Sequence, residues 1–325
     1  MNGKLKGVMG APITPFTEEN KVDFDSFSKQ INFLIENGIK MISHPMHIGE
    51  SINLNEKEQK DLVNCLVEAA GNRVPVFVNV SKAGTDLARE LALYSQNSGA
   101  SGVILLPPYH WKPTQQGLYD HFVSVVGDLD IDFIAYNNPK NVQVEIGIEL
   151  IKRLIDKLPN FIGLKDASFH MGFFTEACRV TRDLNPNFSI FTGVEYLLTS
   201  MPVGGCGCYS ACSEVAPKLV NQLFDACENL NISEARELQY KVKQLLELLN
   251  ENHLRYPVGI KYAMECLQRP VGHTRKPIMP LNDEEKKDIE DLLEKLDIYN
   301  TEQIGWYYNC RLYDFLLDMI YKQNL

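Results

Sequence analysis

The chain has 325 residues, 45% of them hydrophobic, and a formal net charge of −10. That length and apolar content suffice for one large α/β domain, or two smaller ones, around a sizeable core. The acidic balance excludes a nucleic-acid backbone or an anionic membrane as the main partner, because both reward a basic surface, and points to a small-molecule ligand.

The opening segment "MNGKLKGVMGAPITPF" has no apolar run of signal-peptide length, and no window approaches a membrane span, so a cytoplasmic protein is expected. Residues 7–16 read as a strand, followed by a helix that Asp23 or Asp25 caps and Gly38 ends. Next come "MISHPM" with the helix "NEKEQKDLVNCLVEAA", then "VPVFVNVS" with "GTDLARELALYSQNSG". The beat continues through "GVILLPP" and "TQQGLYDHFVSVVGDL", "DFIAYNNP" and "GIELIKRLIDKLPN", "FIGLKDAS" and "FFTEACRVTRDLNP". It closes with "FSIFTGVE" before "YLLTSMPVG", and "GCGCYSA" before "APKLVNQLFDACENL". Eight strand–helix units of this kind predict an α/β fold, a parallel sheet closed into a (β/α)8 TIM barrel. No G-x-G-x-x-G follows the first strand, which weakens a dinucleotide-binding alternative.

Residues 1–230 are therefore expected to form the catalytic barrel and 231–297 a C-terminal helical extension packed on it. Residues 298–325 are expected to form an aromatic-rich helical tail, packed on its own chain or at an oligomer contact. The eight cysteines are scattered through apolar runs, as in a reducing compartment. Cys206, Cys208 and Cys212 form C-x-C-x3-C without an evident fourth ligand, and His44, His47 and His110 lack the H-x-H spacing of barrel metal sites. Neither a metal nor another cofactor is expected.

Chemistry in such a barrel sits at the carboxyl ends of the strands. There the sequence places His47 to Glu50, His110, Tyr136 to Asn141, Lys165, Glu195 and Tyr209. Lys165 stands out, because burying an ammonium among apolar neighbours costs several kcal/mol, roughly, unless it is paired or neutralised. Adjacent Asp166 offers a structural ion pair, yet neighbours in a strand face opposite sides; if Asp166 faces the helices, Lys165 faces the barrel. Desolvation there favours the neutral amine, the nucleophile that forms a Schiff base with a carbonyl. Tyr136, one strand away, is a packed aromatic or a proton relay for imine chemistry.

The segments "APITPF", "IGES", "PPY…KPTQQGLYDHF", "AYNNP", "GLKDAS", "FTGVE" and "VGHTRKPIMPL" resemble, in order and spacing, the dihydrodipicolinate synthase/N-acetylneuraminate lyase family over roughly residues 5 to 297. The resemblance implies a metal-independent class I aldolase-type lyase, usually a homotetramer, that binds pyruvate or a larger 2-oxo acid as an imine. Lys165 would carry the imine and Tyr136 would relay protons, with Gly49 and Glu50 near the loop that holds the substrate carboxylate.

The chain departs from that pattern at Met46-His47-Ile48-Gly49-Glu50, where the family has a Gly-Thr-Thr-Gly-Glu or Gly-Ser-Thr-Gly-Glu loop. It departs again at Tyr109-His110, where a second tyrosine is usual, and at Lys140-Asn141, where the synthase has an arginine. Ala167 and the single Glu195 followed by Tyr196 likewise depart from the sialic-acid lyases. His47, Ile48, Gly49, Glu50, His110, Asn141, Glu195 and Tyr209 are the expected substrate-binding residues, with an imidazole of His47 or His110 replacing part of the hydroxyl relay. The leading expectation is an aldolase or dehydratase in a homo-oligomer, a tetramer or dimer. 4-Hydroxy-tetrahydrodipicolinate synthase activity and a 2-oxo-acid-binding protein without turnover are the alternatives.

Overall fold

The computed structural model describes residues 3–247, 249 and 256–307. Eight strands run β1 (Gly7–Gly10), β2 (Met41–His44), β3 (Val76–Asn79), β4 (Gly102–Leu105), β5 (Asp132–Asn137), β6 (Phe161–Asp166), β7 (Ser189–Thr192) and β8 (Gly207–Ser210). They pair in parallel in sequence order and close as a barrel, Met9 opposite Met41 on one side and Tyr209 on the other. The strands are almost wholly buried, as parallel strands covered by helices must be. In the core, Phe133 stacks on Phe161 with ring centroids 5.0 Å apart, and Phe161 meets Phe188 edge-on at 4.9 Å.

The helices around the barrel are α1 (Phe24–Glu36), α2 (Glu56–Ala70), α3 (Thr85–Asn97), α4 (Gln115–Val126), α5 (Pro139–Val142), α6 (Ile148–Lys157), α7 (Met171–Leu184), α8 (Leu197–Ser200) and α9 (Pro217–Glu228). Asp23 caps α1 by accepting from the Ser26 N–H, and Gly38 turns the chain at φ 87° just beyond its end. The helix expected after β7 is short: α8 gives way to a 3-10 turn at Met201–Val203, where Pro202 interrupts the helical pattern. Closure demands a glycine at Gly207, because a Cβ there would lie 1.9 Å from the Gly7 carbonyl oxygen.

The extension continues with α10 (Ile232–Leu246), α11 (Val258–Cys266), α12 (Asp283–Lys295) and α13 (Ile298–Thr301). Arg269 staples it to the barrel. Its fully buried guanidinium donates to the carbonyls of Glu214 and Val215 at 2.7 Å each and lies 4.1 Å from the Phe33 ring centroid. The first part of the expected tail packs on the chain itself: Ile298 is buried and Trp306 sits edge-on to Phe33. The remainder of that expectation, residues 308–325, lies outside the described residues. Among the described residues no helix is long and apolar enough to cross a membrane.

Candidate active site

Lys165, the penultimate residue of β6, faces the barrel interior, in register with Tyr136 on β5 and Phe191 on β7. Its Nζ lies 4.0 Å from the centroid of the Tyr136 ring and 4.2 Å from that of Tyr209 on β8. Asp166 points the other way and accepts from Asn137 Nδ2 at 2.8 Å and Ser168 Oγ at 2.9 Å, so the structural ion pair is not what holds the lysine. Burial lowers the Lys165 pKa to about 7, with Glu195 opposing the shift. At neutral pH about half of such amines are free, against roughly one in three thousand for an ordinary lysine.

A second buried lysine, Lys261 on α11, makes the contrast instructive. Its ammonium donates to the carbonyls of Thr14 (2.9 Å) and His273 (2.6 Å) and pairs with the Glu50 carboxylate (3.0 Å). Two hydrogen-bonded carbonyls and the Glu50 carboxylate oppose the burial that lowers its pKa to about 8, whereas Lys165 meets two aromatic faces.

Around Lys165 the site collects polar groups with unfilled capacity. The buried Tyr136 hydroxyl accepts from Asn138 Nδ2 at 3.1 Å, and burial pushes its phenol up, so it keeps its proton. The Tyr209 hydroxyl and Glu195 Oε2 are buried without a hydrogen-bond partner among the described residues, as is His47 Nδ1. Glu195 is oriented through its other oxygen, which accepts from Ser210 Oγ and from the Cys212 N–H at 2.8 Å, and burial raises its pKa. The His47 ring stands edge-on to Tyr136, 6.1 Å between centroids; burial, then the Lys165 charge, lower its pKa to about 4, so the imidazole is neutral at pH 7.

His47 belongs to a tight turn in which Gly49 N–H donates to Met46 O and Glu50 N–H to His47 O, both at 3.0 Å. Ile48 within it is buried. Gly49 packs against the imidazole of His44, where a Cβ would come within 2.7 Å of Cε1. His44 is itself locked by Pro12 O (3.1 Å) and Thr14 Oγ1 (3.3 Å). Gly49→Ala is accordingly expected to cost about 1–3 kcal/mol through overpacking, read as a lower denaturation midpoint.

The other expected residues are spread more widely. The Glu50 carboxylate turns towards Lys261 and the Arg275 backbone N–H (3.0 Å), not towards Lys165. His110 is exposed at φ 75°, edge-on to Trp111 at 5.2 Å. Asn141 is also exposed and borders a cleft of about 410 Å³ that His47, Asn79, Lys82 and Tyr109 line. Two groups escaped the sequence reading. Tyr256 packs partly buried against the core, and burial pushes its phenol far up, with nearby Tyr136, Glu195, Cys212 and Glu214 adding to the shift. Both carboxylate oxygens of Glu214 are buried without a hydrogen-bond partner among the described residues, and burial raises its pKa to about 8. Tyr256 lies in the extension, far from any strand, and Glu214 lies in the turn that follows β8, where no local pattern marks it.

A family model for the dihydrodipicolinate synthetase family matches residues 4–296. The 4-hydroxy-tetrahydrodipicolinate synthase of Bartonella bacilliformis is 33% identical over 291 residues, 89% of this chain and 97% of that protein. The enzyme of the same name from Methanocaldococcus jannaschii is 30% identical over 90% of this chain and 99% of its own. Among solved structures, the dihydrodipicolinate synthase of Aquifex aeolicus superposes with a TM-score of 0.85 at 29% identity, covering 90% of this chain and 99% of that one.

Proposed function

This chain belongs to the dihydrodipicolinate synthetase family and is a class I Schiff-base aldolase-type lyase, and we propose that its substrate is pyruvate or a larger 2-oxo acid held as an imine on Lys165. One observation carries the reading: a buried amine between the faces of Tyr136 and Tyr209, with its pKa lowered to about 7. The free amine attacks the C2 carbonyl, and the protonated imine then draws electrons from a C–C or C–O bond two atoms away. Tyr136 relays protons to and from the carbinolamine. The 46–50 turn receives the C1 carboxylate, with His47, Ile48, Gly49 and the Glu50 backbone in place of the usual pair of hydroxyls. Tyr209 and Glu195 meet the rest of the substrate, and His110 and Asn141 stand at its entrance. The working form is a cytoplasmic homo-oligomer, a tetramer or dimer, for which the exposed Ile52 and Trp111 offer apolar surface.

Borohydride added to enzyme and pyruvate, or to a panel of 2-oxo acids, is expected to leave a reduced adduct on Lys165, detected as added mass on its peptide. Because only the neutral amine attacks, the initial trapping rate should rise as pH passes upward through about 7 and then level off. No adduct with any of the acids sinks the reading.

A second reading, 4-hydroxy-tetrahydrodipicolinate synthase activity, is favoured by the names of the similar enzymes. Asn141, where the synthase carries an arginine, speaks against it. Formation of that product from purified protein decides the point.

A further inference from the structure

The extension does more than cover the barrel, because its charges converge on the turn beside Lys165. Glu50 holds a left-handed backbone, φ 54° and ψ 40°, which a non-glycine residue adopts only when its surroundings impose it. Its carboxylate is fixed from three sides: Lys261 Nζ on one oxygen at 3.0 Å, and on the other the Arg275 N–H at 3.0 Å and Asn53 Nδ2 at 3.1 Å. The side chains of Lys261 and Glu50 are 3% and 0% exposed, so the pair is shielded from water and salt. Lys261 also donates to the Thr14 carbonyl, and the Thr14 hydroxyl donates to the carbonyl of Gly49. One ammonium on α11 thereby reaches both Glu50 and Gly49, the last two residues of the turn.

Arg275 supplies a second clamp. Its guanidinium engages both Glu58 oxygens and the carbonyls of Asn53 and Asn20, tying the extension to the start of α2, just beyond the turn. A buried ion pair contributes little net stability compared with apolar residues of the same volume; its distinctive capacity is to select one geometry. Every partner of Lys261 in this network belongs to the turn, to the β1 loop that supports the turn, or to the extension.

We propose that Glu50 and Lys261 are positioning residues through which the C-terminal extension fixes the 46–50 turn in the conformation that receives the substrate carboxylate. This rests on the reading of that turn as the carboxylate site. Neither residue touches the reacting atoms. The pair acts on acid binding and leaves the chemistry at Lys165 alone.

The test is a split between KM and kcat. Lys261→Met is expected to raise KM for pyruvate, or its half-saturation in borohydride trapping, by about tenfold or more, with kcat and the maximum trapped fraction within about threefold of wild type. Glu50→Gln, which keeps the shape of the side chain, should move KM the same way even if Lys261→Met fails to fold. The double variant should be no worse than the worse single, because both break one link. Trapping of wild type with KM unchanged in folded Glu50→Gln overturns the inference and leaves the Schiff-base reading standing. An equal fall in kcat at unchanged KM overturns it too. No adduct on wild type with any 2-oxo acid removes the reading and the inference with it.

Discussion

Replacing Lys165 by Met is expected to abolish turnover and borohydride trapping while leaving the barrel at least as stable as the wild type. On the proposed mechanism its amine contributes a covalent pathway that no neighbour reproduces. Lys261 is committed to Glu50 and two carbonyls, so activity should fall by about 10³-fold or more. Stability should go the other way. An amine with a folded pKa of about 7 and an ordinary unfolded value near 10.5 is a group that the fold holds at a cost. Between those two pH values the unfolded chain binds the proton that the folded chain has released, so wild-type stability rises with pH across the window. Methionine, of similar length and apolar, removes the penalty. The variant should be more stable by roughly 1–3 kcal/mol at pH 6–7, and its advantage should shrink towards pH 10. Denaturant midpoints of both proteins at two pH values check this. A variant that is inactive but markedly less stable would mean that Lys165 is structural.

The barrel was legible because its signals are local. Strand-length apolar runs alternate with amphipathic helices, and eight repeats leave little freedom of topology once parallel pairing is required. Lys165 was legible because a charge in a run such as "FIGLKDAS" violates the pattern around it, and Tyr136 because adjacent strands put it beside that charge. Lys261 gives no such alarm: in "VGIKYAMEC" a lysine on a helix reads as a solvated residue, and only the packing of α11 against the Thr14 and Glu50 segments buries it. Tyr256 and Glu214 are of the same type, contacts set by the extension folding back over the barrel. The short α8 reflects Pro202, whose ring limits a helix that the apolar spacing alone would have extended. His110 was placed by its sequence position beside Tyr109, but its left-handed backbone and exposure follow from loop geometry that sequence spacing does not encode.

Tyr136→Phe is expected to lower kcat by about 10²–10³-fold with KM for the acid nearly unchanged, and the choice between two tyrosines makes this result informative. Both Tyr136 and Tyr209 present a ring to Lys165 at almost the same distance, so proximity does not decide which hydroxyl relays protons. Orientation does. The Tyr136 hydroxyl accepts from Asn138 Nδ2, which fixes its remaining proton and lone pair, whereas the Tyr209 hydroxyl is buried without a hydrogen-bond partner among the described residues and is free to serve a substrate atom. A relay must both give and take a proton within one turnover, and an anchored hydroxyl does so without searching for its geometry. Removing it leaves the Asn138 amide one acceptor short, at about 1 kcal/mol of stability, so the folded fraction should hardly change. Borohydride should still trap the imine in Tyr136→Phe, to nearly the same final extent but more slowly, because proton transfer and not attack is impaired. Tyr209→Phe is expected to raise KM for the larger 2-oxo acids more than it lowers kcat. The reverse pattern, an intact kcat in Tyr136→Phe and a collapsed one in Tyr209→Phe, would transfer the relay to β8.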